Sequence, residues 1–174
     1  MIDRRNILRI GGLSGLALLS GCGFQPLYGK QPDGSAASTE LAAIQINTIG
    51  EGTERRVGQI LRNELMNRFT AGIGPQPVRY VLLVEIDQRS SALQIQTNDT
   101  VTRYNLVMDA DFDLYDASLS TILYSSDASA TGSYDVVESE YATLVAEQAT
   151  AENVARDLAG TITHLLSLYF TRQG

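Results

Sequence analysis

Tryptophan is absent from this 174-residue chain, and cysteine and histidine occur once each. One cysteine cannot close an internal disulfide, and with one histidine it is too little for a structural zinc site. Positive charge is also scarce. The chain has 13 Lys+Arg against 20 Asp+Glu, a net charge of −7, and a pI near 4.6. Nucleic-acid binding needs a dense Lys/Arg face, so nucleic acid is not an expected partner. No apolar run approaches the roughly 20 residues that a membrane-spanning helix requires. What remains is 44% hydrophobic and 19% charged, a balance that supports a packed core. The length fits one domain, or one domain plus a tail.

Residues 1–21 read as a lipoprotein signal peptide. Arg4, Arg5 and Arg9 make a positive start, and an apolar stretch of ten residues runs from Ile10 to Leu19. That is the length of a secretory h-region. Four glycines and two serines from Gly11 to Cys22 argue against a stable buried helix there. The stretch ends Leu19-Ser20-Gly21-Cys22, which resembles the bacterial lipobox, whose cysteine is acylated on sulfur and becomes the new N-terminus. Arg4-Arg5-Asn6-Ile7-Leu8-Arg9 also resembles a twin-arginine signal, so both export routes stay open. After processing, the chain carries 10 basic and 19 acidic residues, net −9. Acyl chains at Cys22 would anchor it stably, at about 0.8 kcal/mol per buried CH₂. Lipoproteins kept at the inner membrane often have aspartate after the cysteine. Gly23 stands there, which points to the periplasmic side of the outer membrane.

Residues 22–40 are rich in Gly, Pro, Ser and Ala and read as a flexible tether. Residues 41–174 read as a single periplasmic α+β domain. Ile44, Ile46 and Ile49 mark a first strand within 41–49. Val57, Ile60, Leu61, Leu65 and Phe69 fall at helical spacing, with Thr53 as the expected N-cap and Gly72 past the end. Val78 to Gln88 is a strand whose centre, Tyr80 to Val84, is apolar on both faces, as in the middle of a sheet. Tyr104, Leu106, Met108, Ala110, Phe112 and Leu114 alternate with polar residues, giving a strand with one wet face. Between these, the polar stretch Ser90 to Val101 reads as a long hairpin reaching past the core, with Asn98-Asp99 at its turn. Asp116-Ala117-Ser118 is the next turn, and Thr121 to Tyr134 the next strand. A long helix follows from Glu140 to about Arg172, with Val154, Leu158, Ile162, Leu165, Leu166 and Tyr169 as its core stripe. Gly160 either weakens it or admits another backbone. The order β-α-β-β-β-α predicts a two-layer sandwich, with two helices on one face of a mixed four-stranded sheet.

Chemistry is hard to find. Asp109, Asp111 and Asp113 have the D-x-D-x-D spacing of a calcium loop, but Leu114 replaces its glycine and Ser120 its bidentate glutamate. They read as an acidic ladder on a solvated strand face, so no metal site is expected. His164 has no accompanying nucleophile motif. Gly50-Glu51-Gly52 lacks the third glycine and the lysine of a phosphate loop, and reads as a helix-entry loop. No catalytic residues and no cofactor are expected beyond the covalent lipid on Cys22. Arg55, Arg56, Arg62 and Arg68 read as a solvated helix face with local Glu–Arg pairs such as Glu51–Arg55. Arg89 and Arg103 flank the long hairpin, where guanidinium groups suit phosphate or carboxylate ligands.

The segment Leu19-Ser-Gly-Cys22-Gly-Phe-Gln-Pro-Leu-Tyr-Gly29 resembles the start of the LptE family of lipopolysaccharide-assembly lipoproteins. Ile44-Gln-Ile46 with Arg56-Val-Gly-Gln-Ile-Leu-Arg-Asn-Glu-Leu65 is similar to that family's first strand and helix. So are Tyr134-Asp-Val136 and the run Ala149 to Phe170. The resemblance implies a non-enzymatic outer-membrane protein that plugs and helps assemble the LptD β-barrel and assists lipopolysaccharide delivery to the outer leaflet. Its implied partners are the LptD barrel, lipopolysaccharide, and outer-membrane lipid through the acyl anchor. Arg89 and Arg103 are the candidate contacts to lipid A phosphates, chosen by position and charge. Two alternatives compete: an auxiliary lipoprotein of a lipid-transporting ABC system, and a lipid-anchored envelope enzyme.

Overall fold

The computed structural model describes residues 35–95, 101–118 and 120–173. The signal peptide, Cys22, the first part of the tether and the Asn98-Asp99 turn lie outside these residues.

The domain begins earlier than the composition implied. Helix α1 spans Ser35–Ala42, so the last residues assigned to the tether are helical. Ala36, Ala37 and Ala42 favour helix intrinsically, and Leu41 is buried in the core. At its end, Glu40 accepts a hydrogen bond from the Tyr80 hydroxyl at 2.8 Å and pairs with Arg79. The first strand is correspondingly shorter than expected. Strand β1 covers only Ile44–Ile46. Leu41 is spent on the helix, and Ile49 is buried from a loop.

A 3-10 turn, Gly52–Glu54, leads into helix α2, Arg55–Phe69. Glu54 rather than Thr53 takes the N-cap position, and no side chain caps the helix. Gly58, Leu61, Leu65 and Phe69 form its buried face. Strands β2 (Tyr80–Ile95), β3 (Val101–Asp116) and β4 (Ile122–Asp135) follow, then the 34-residue helix α3, Glu140–Gln173. The sheet order is β1-β2-β3-β4. β1 runs parallel to β2 through the α2 crossover, and β2, β3 and β4 form an antiparallel meander. The predicted mixed four-stranded sheet in an α+β fold is present, with α1 as an added short helix.

Register assigns each side chain to a face. Leu82 pairs with Leu114, and Leu114 with Tyr124; Val84 pairs with Phe112, and Phe112 with Ser126. Even-numbered residues of β2, β3 and β4 therefore share the core face, where Leu82, Leu106, Met108 and Leu114 are fully buried. Val154, Leu158, Ile162 and Leu166 of α3 and Leu61 and Leu65 of α2 join the same cluster. Burying each such side chain contributes about 1.5–3 kcal/mol. Odd-numbered residues point to the opposite face, where Val81 is buried while Glu85, Asp87, Asp111 and Asp127 are exposed.

Candidate functional site

The β2–β3 hairpin carries pairing as far as Ile95 and Val101, with bulges between Ala92 and Ile95. Its core layer thins out at Tyr104 and Tyr134, which face each other across β3 and β4 as stacked rings 5.7 Å apart. Beyond them lie the hairpin end and the first turns of α3. There Val137, Tyr141, Leu144 and Val145 are exposed, Tyr141 at 77%. Leu144 lies seven residues before buried Ala151, so the core stripe of α3 runs on past the sheet. The sequence reading started that stripe at Val154 and missed this extension, although the heptad spacing was available to reveal it.

Arg89 and Arg103 both lie on the open face. Arg89 sits opposite Val107, and Arg103 is four residues further along β3, about 13 Å at 3.3 Å per residue. Both are held by carboxylates that sequence reading did not assign. Arg89 bonds to Asp109 across the strands and approaches Asp87 at 3.4 Å. Arg103 donates two bonds to Asp135, Nε–Oδ1 at 2.7 Å and Nη2–Oδ2 at 3.2 Å. This fork holds the Asp135 carboxyl below its usual range and raises the guanidinium's pKa further. Both ion pairs are exposed, and exposed pairs contribute little net stability. Only the β3–β4 register reveals that Arg103 meets Asp135, 32 residues away.

The Asp109, Asp111 and Asp113 ladder stands on the same open face and is wider than β3 alone. Glu85, Asp111 and Asp127 lie in one row across β2, β3 and β4. Asp87 and Asp109 form the next row, and Asp113 adjoins Ser125, whose hydroxyl donates to it. No cluster among the described residues is arranged to hold a metal ion. His164 is exposed on α3. Gly50 and Gly52 adopt positive φ in the loop that enters the helix.

Two of the helix arginines serve the fold. Arg56 bonds to Gln148 at 3.0 Å and Glu152 at 2.7 Å, joining α2 to α3. Half-buried Arg62 donates to the Ile46 carbonyl at 3.1 Å, and Arg68 pairs with Glu64 at 2.9 Å. The solvated-face reading holds for Arg68, while Arg56 and Arg62 make tertiary contacts. The Asp116 turn is also structural. Its carboxylate accepts from the hydroxyls of Ser118 and Ser120 and from the amides of Ser120 and Thr121. These bonds, Ser118 foremost, lower its pKa to about 2.

A family model described as "LptE: Lipopolysaccharide-assembly" matches residues 41–166, from the end of α1 through most of α3. This chain belongs to the LptE family. No curated protein matches it. Among solved structures, a lipoprotein candidate from Caulobacter crescentus CB15 is similar at TM-score 0.65 and 23% identity, covering 79% of this chain and 97% of that one. A minor lipoprotein from Acinetobacter baumannii gives 0.55 and 21%, covering 73% and 92%. Rare lipoprotein B from Shewanella oneidensis gives 0.54 and 12%, covering 74% and 98%. These likenesses carry the fold. The LptE family assignment makes the protein a lipopolysaccharide-assembly lipoprotein of the bacterial envelope, in a non-catalytic family.

Proposed function

We propose that this LptE-family protein is acylated at Cys22, sits on the periplasmic side of the outer membrane, and occupies the lumen of the LptD β-barrel. In that place it helps the barrel assemble and assists passage of lipopolysaccharide to the outer leaflet. The observation that best supports this reading is the open sheet face. From Glu85 to Asp135 it presents mainly carboxylates, hydroxyls and two arginines, and the lumen of a large barrel is polar. Arg89 and Arg103 are the proposed phosphate contacts. Each has its ion-pair partners on Nε and Nη2, and guanidinium suits bidentate phosphate recognition once an aspartate is displaced.

The test is purification of the tagged protein from native envelopes in mild detergent, with co-purifying proteins identified by mass. A stoichiometric large barrel that survives stringent washing is the expected result. Recovery with an inner-membrane ATPase complex would refute the plug and favour the auxiliary-lipoprotein reading. Recovery alone would refute both. With the barrel in hand, Arg89→Glu and Arg103→Glu should each weaken lipopolysaccharide binding.

A further inference from the structure

The two edges of the sheet are unlike. β1 closes one edge with three residues, too short to recruit a partner strand. β4 forms the other with 14 residues, roughly 45 Å of backbone. Among the described residues, no strand pairs with its outer side. Edges are commonly protected by charged side chains, lysine above all, by proline, by a bulge, or by a covering helix or loop. β4 has neither lysine nor proline, and its pairing with β3 is irregular only near Tyr124, at its start. Ser125, Ser129, Thr131 and Ser133 are short and exposed, whereas Ala128 is buried and Gly132 packs closely against Thr150 and Val154 of α3.

The adjoining face fixes what could pair there. Glu85, Asp87, Asp109, Asp111, Asp113 and Asp127 share it with Arg89 and, toward the hairpin end, Arg103. Like charges directly opposite on neighbouring strands destabilise a sheet. The row Glu85–Asp111–Asp127 places three such charges side by side and ends at the β4 edge. Pairing β4 with its own copy about a two-fold axis would join two acidic faces and set both Asp127 carboxylates on one side. That opposes self-association. A strand with Lys or Arg at alternate positions would instead extend the row with the opposite charge.

The geometry points to β4 as a docking edge that accepts an extended polypeptide strand from a partner protein, with basic side chains facing Asp127 and its row. Main-chain bonds along the edge supply affinity, and the alternating charges select the partner. The inference goes beyond the barrel reading and does not require that the barrel supply the strand.

The test is photocrosslinking of the full-length protein in native envelopes. The crosslinker p-benzoylphenylalanine is placed singly at Ser125, Ser129 or Ser133, which face the open side at every second pair, and at His164 on α3 as a control. The crosslinked peptides are then sequenced. The expected result is one partner segment whose adducts step in a single strand register, with Lys or Arg in the rows between. Asp111→Asn with Asp127→Asn should lower adduct yield at least about fivefold. This pair removes repulsion, so an unchanged or higher melting temperature shows that the domain still folds. Three results overturn the inference: adducts only to residues 22–34 of the same chain, adducts without a common register, or a yield indifferent to the aspartate pair. A single register to a protein other than the barrel would sink the plug reading alone. A barrel that co-purifies without a β4 register would sink only this inference.

Discussion

Gly58 offers a sharp test of how α2 is seated. A Cβ at this position would lie 2.1 Å from the Ile49 carbonyl oxygen and 2.6 Å from its carbon. Both are backbone atoms, so the contact cannot be relieved by a rotamer change. Gly58→Ala in a helix interior gains about 1 kcal/mol of propensity. Against this stands an overpacking cost of typically 1–3 kcal/mol and more where backbone must shift. Moving α2 outward would also loosen Leu61 and Leu65, both fully buried, and the Arg62 bond to Ile46. The net expectation is a loss of about 1–3 kcal/mol, lowering Tm by roughly 3–10 °C in a domain of this size. Gly160→Ala is the matched control. Its added Cβ would meet only the Arg68 guanidinium, at 3.6 and 3.8 Å. That is ordinary contact with a flexible tip, so the same substitution should stabilise by up to about 1 kcal/mol. The assay is thermal and urea unfolding, followed by circular dichroism, of a soluble form lacking residues 1–22. A neutral or stabilised Gly58→Ala protein would refute the close approach of α2 to the Ile49 loop. A destabilised Gly160→Ala would refute the open space beside α3.

The Asp116 carboxyl, at about 2, lies below the unfolded carboxylate range near 3.9. Its contribution to stability is therefore full above the unfolded value and lost as pH falls through about 2. A carboxyl-resolved NMR titration should find it there, and Ser118→Ala should move it upward. Arg103→Ala should raise the Asp135 carboxyl in the same titration, and an unmoved Asp135 would contradict the fork. Leu158→Ala, at a fully buried position facing the sheet, should cost about 2–5 kcal/mol in urea unfolding. Cys22→Ala should leave an unprocessed precursor that fractionates poorly with outer membrane, while the domain still folds; loss of folding in the form lacking residues 1–22 would contradict this.

Elements built on a single clean period were legible in the sequence. The alternation from Tyr104 to Leu114 assigned the two faces of β3 correctly, and the four-residue spacing of Leu61, Leu65 and Phe69 assigned α2. The first strand was overextended because Ile44, Ile46 and Ile49 change spacing from two to three. Burial at Ile49 needs no strand. Helix α1 was hidden because its alanines and serines also compose a linker. The site was less legible than the fold. That Arg89 and Arg103 share a face follows from counting, but their bonds to Asp109 and Asp135 depend on a register that only the assembled sheet supplies. The same holds for the Glu85–Asp111–Asp127 row, since one residue of slip in any strand would send that strand's member to the core face.

The distribution of charge on the open face narrows where an anionic ligand can rest. Glu85, Asp87, Asp109, Asp111, Asp113 and Asp127 occupy the rows next to the core, whereas Arg89 and Arg103 stand at the start and middle of the projecting hairpin. A phosphate approaching the acidic rows meets like charge within one Debye length, about 8 Å at physiological salt. Near Arg103, Asp135 is the only carboxylate in its row, and Asn105, Ser133 and Ser91 make the next row neutral. Phosphate affinity should therefore rise from Arg89 toward Arg103. Neutralising Asp135 should raise it further, because the guanidinium loses its competing partner. The overall negative charge and a phosphate contact are thus compatible: the acidic rows oppose binding along most of the sheet, and the neutral row beside Arg103 opposes it least.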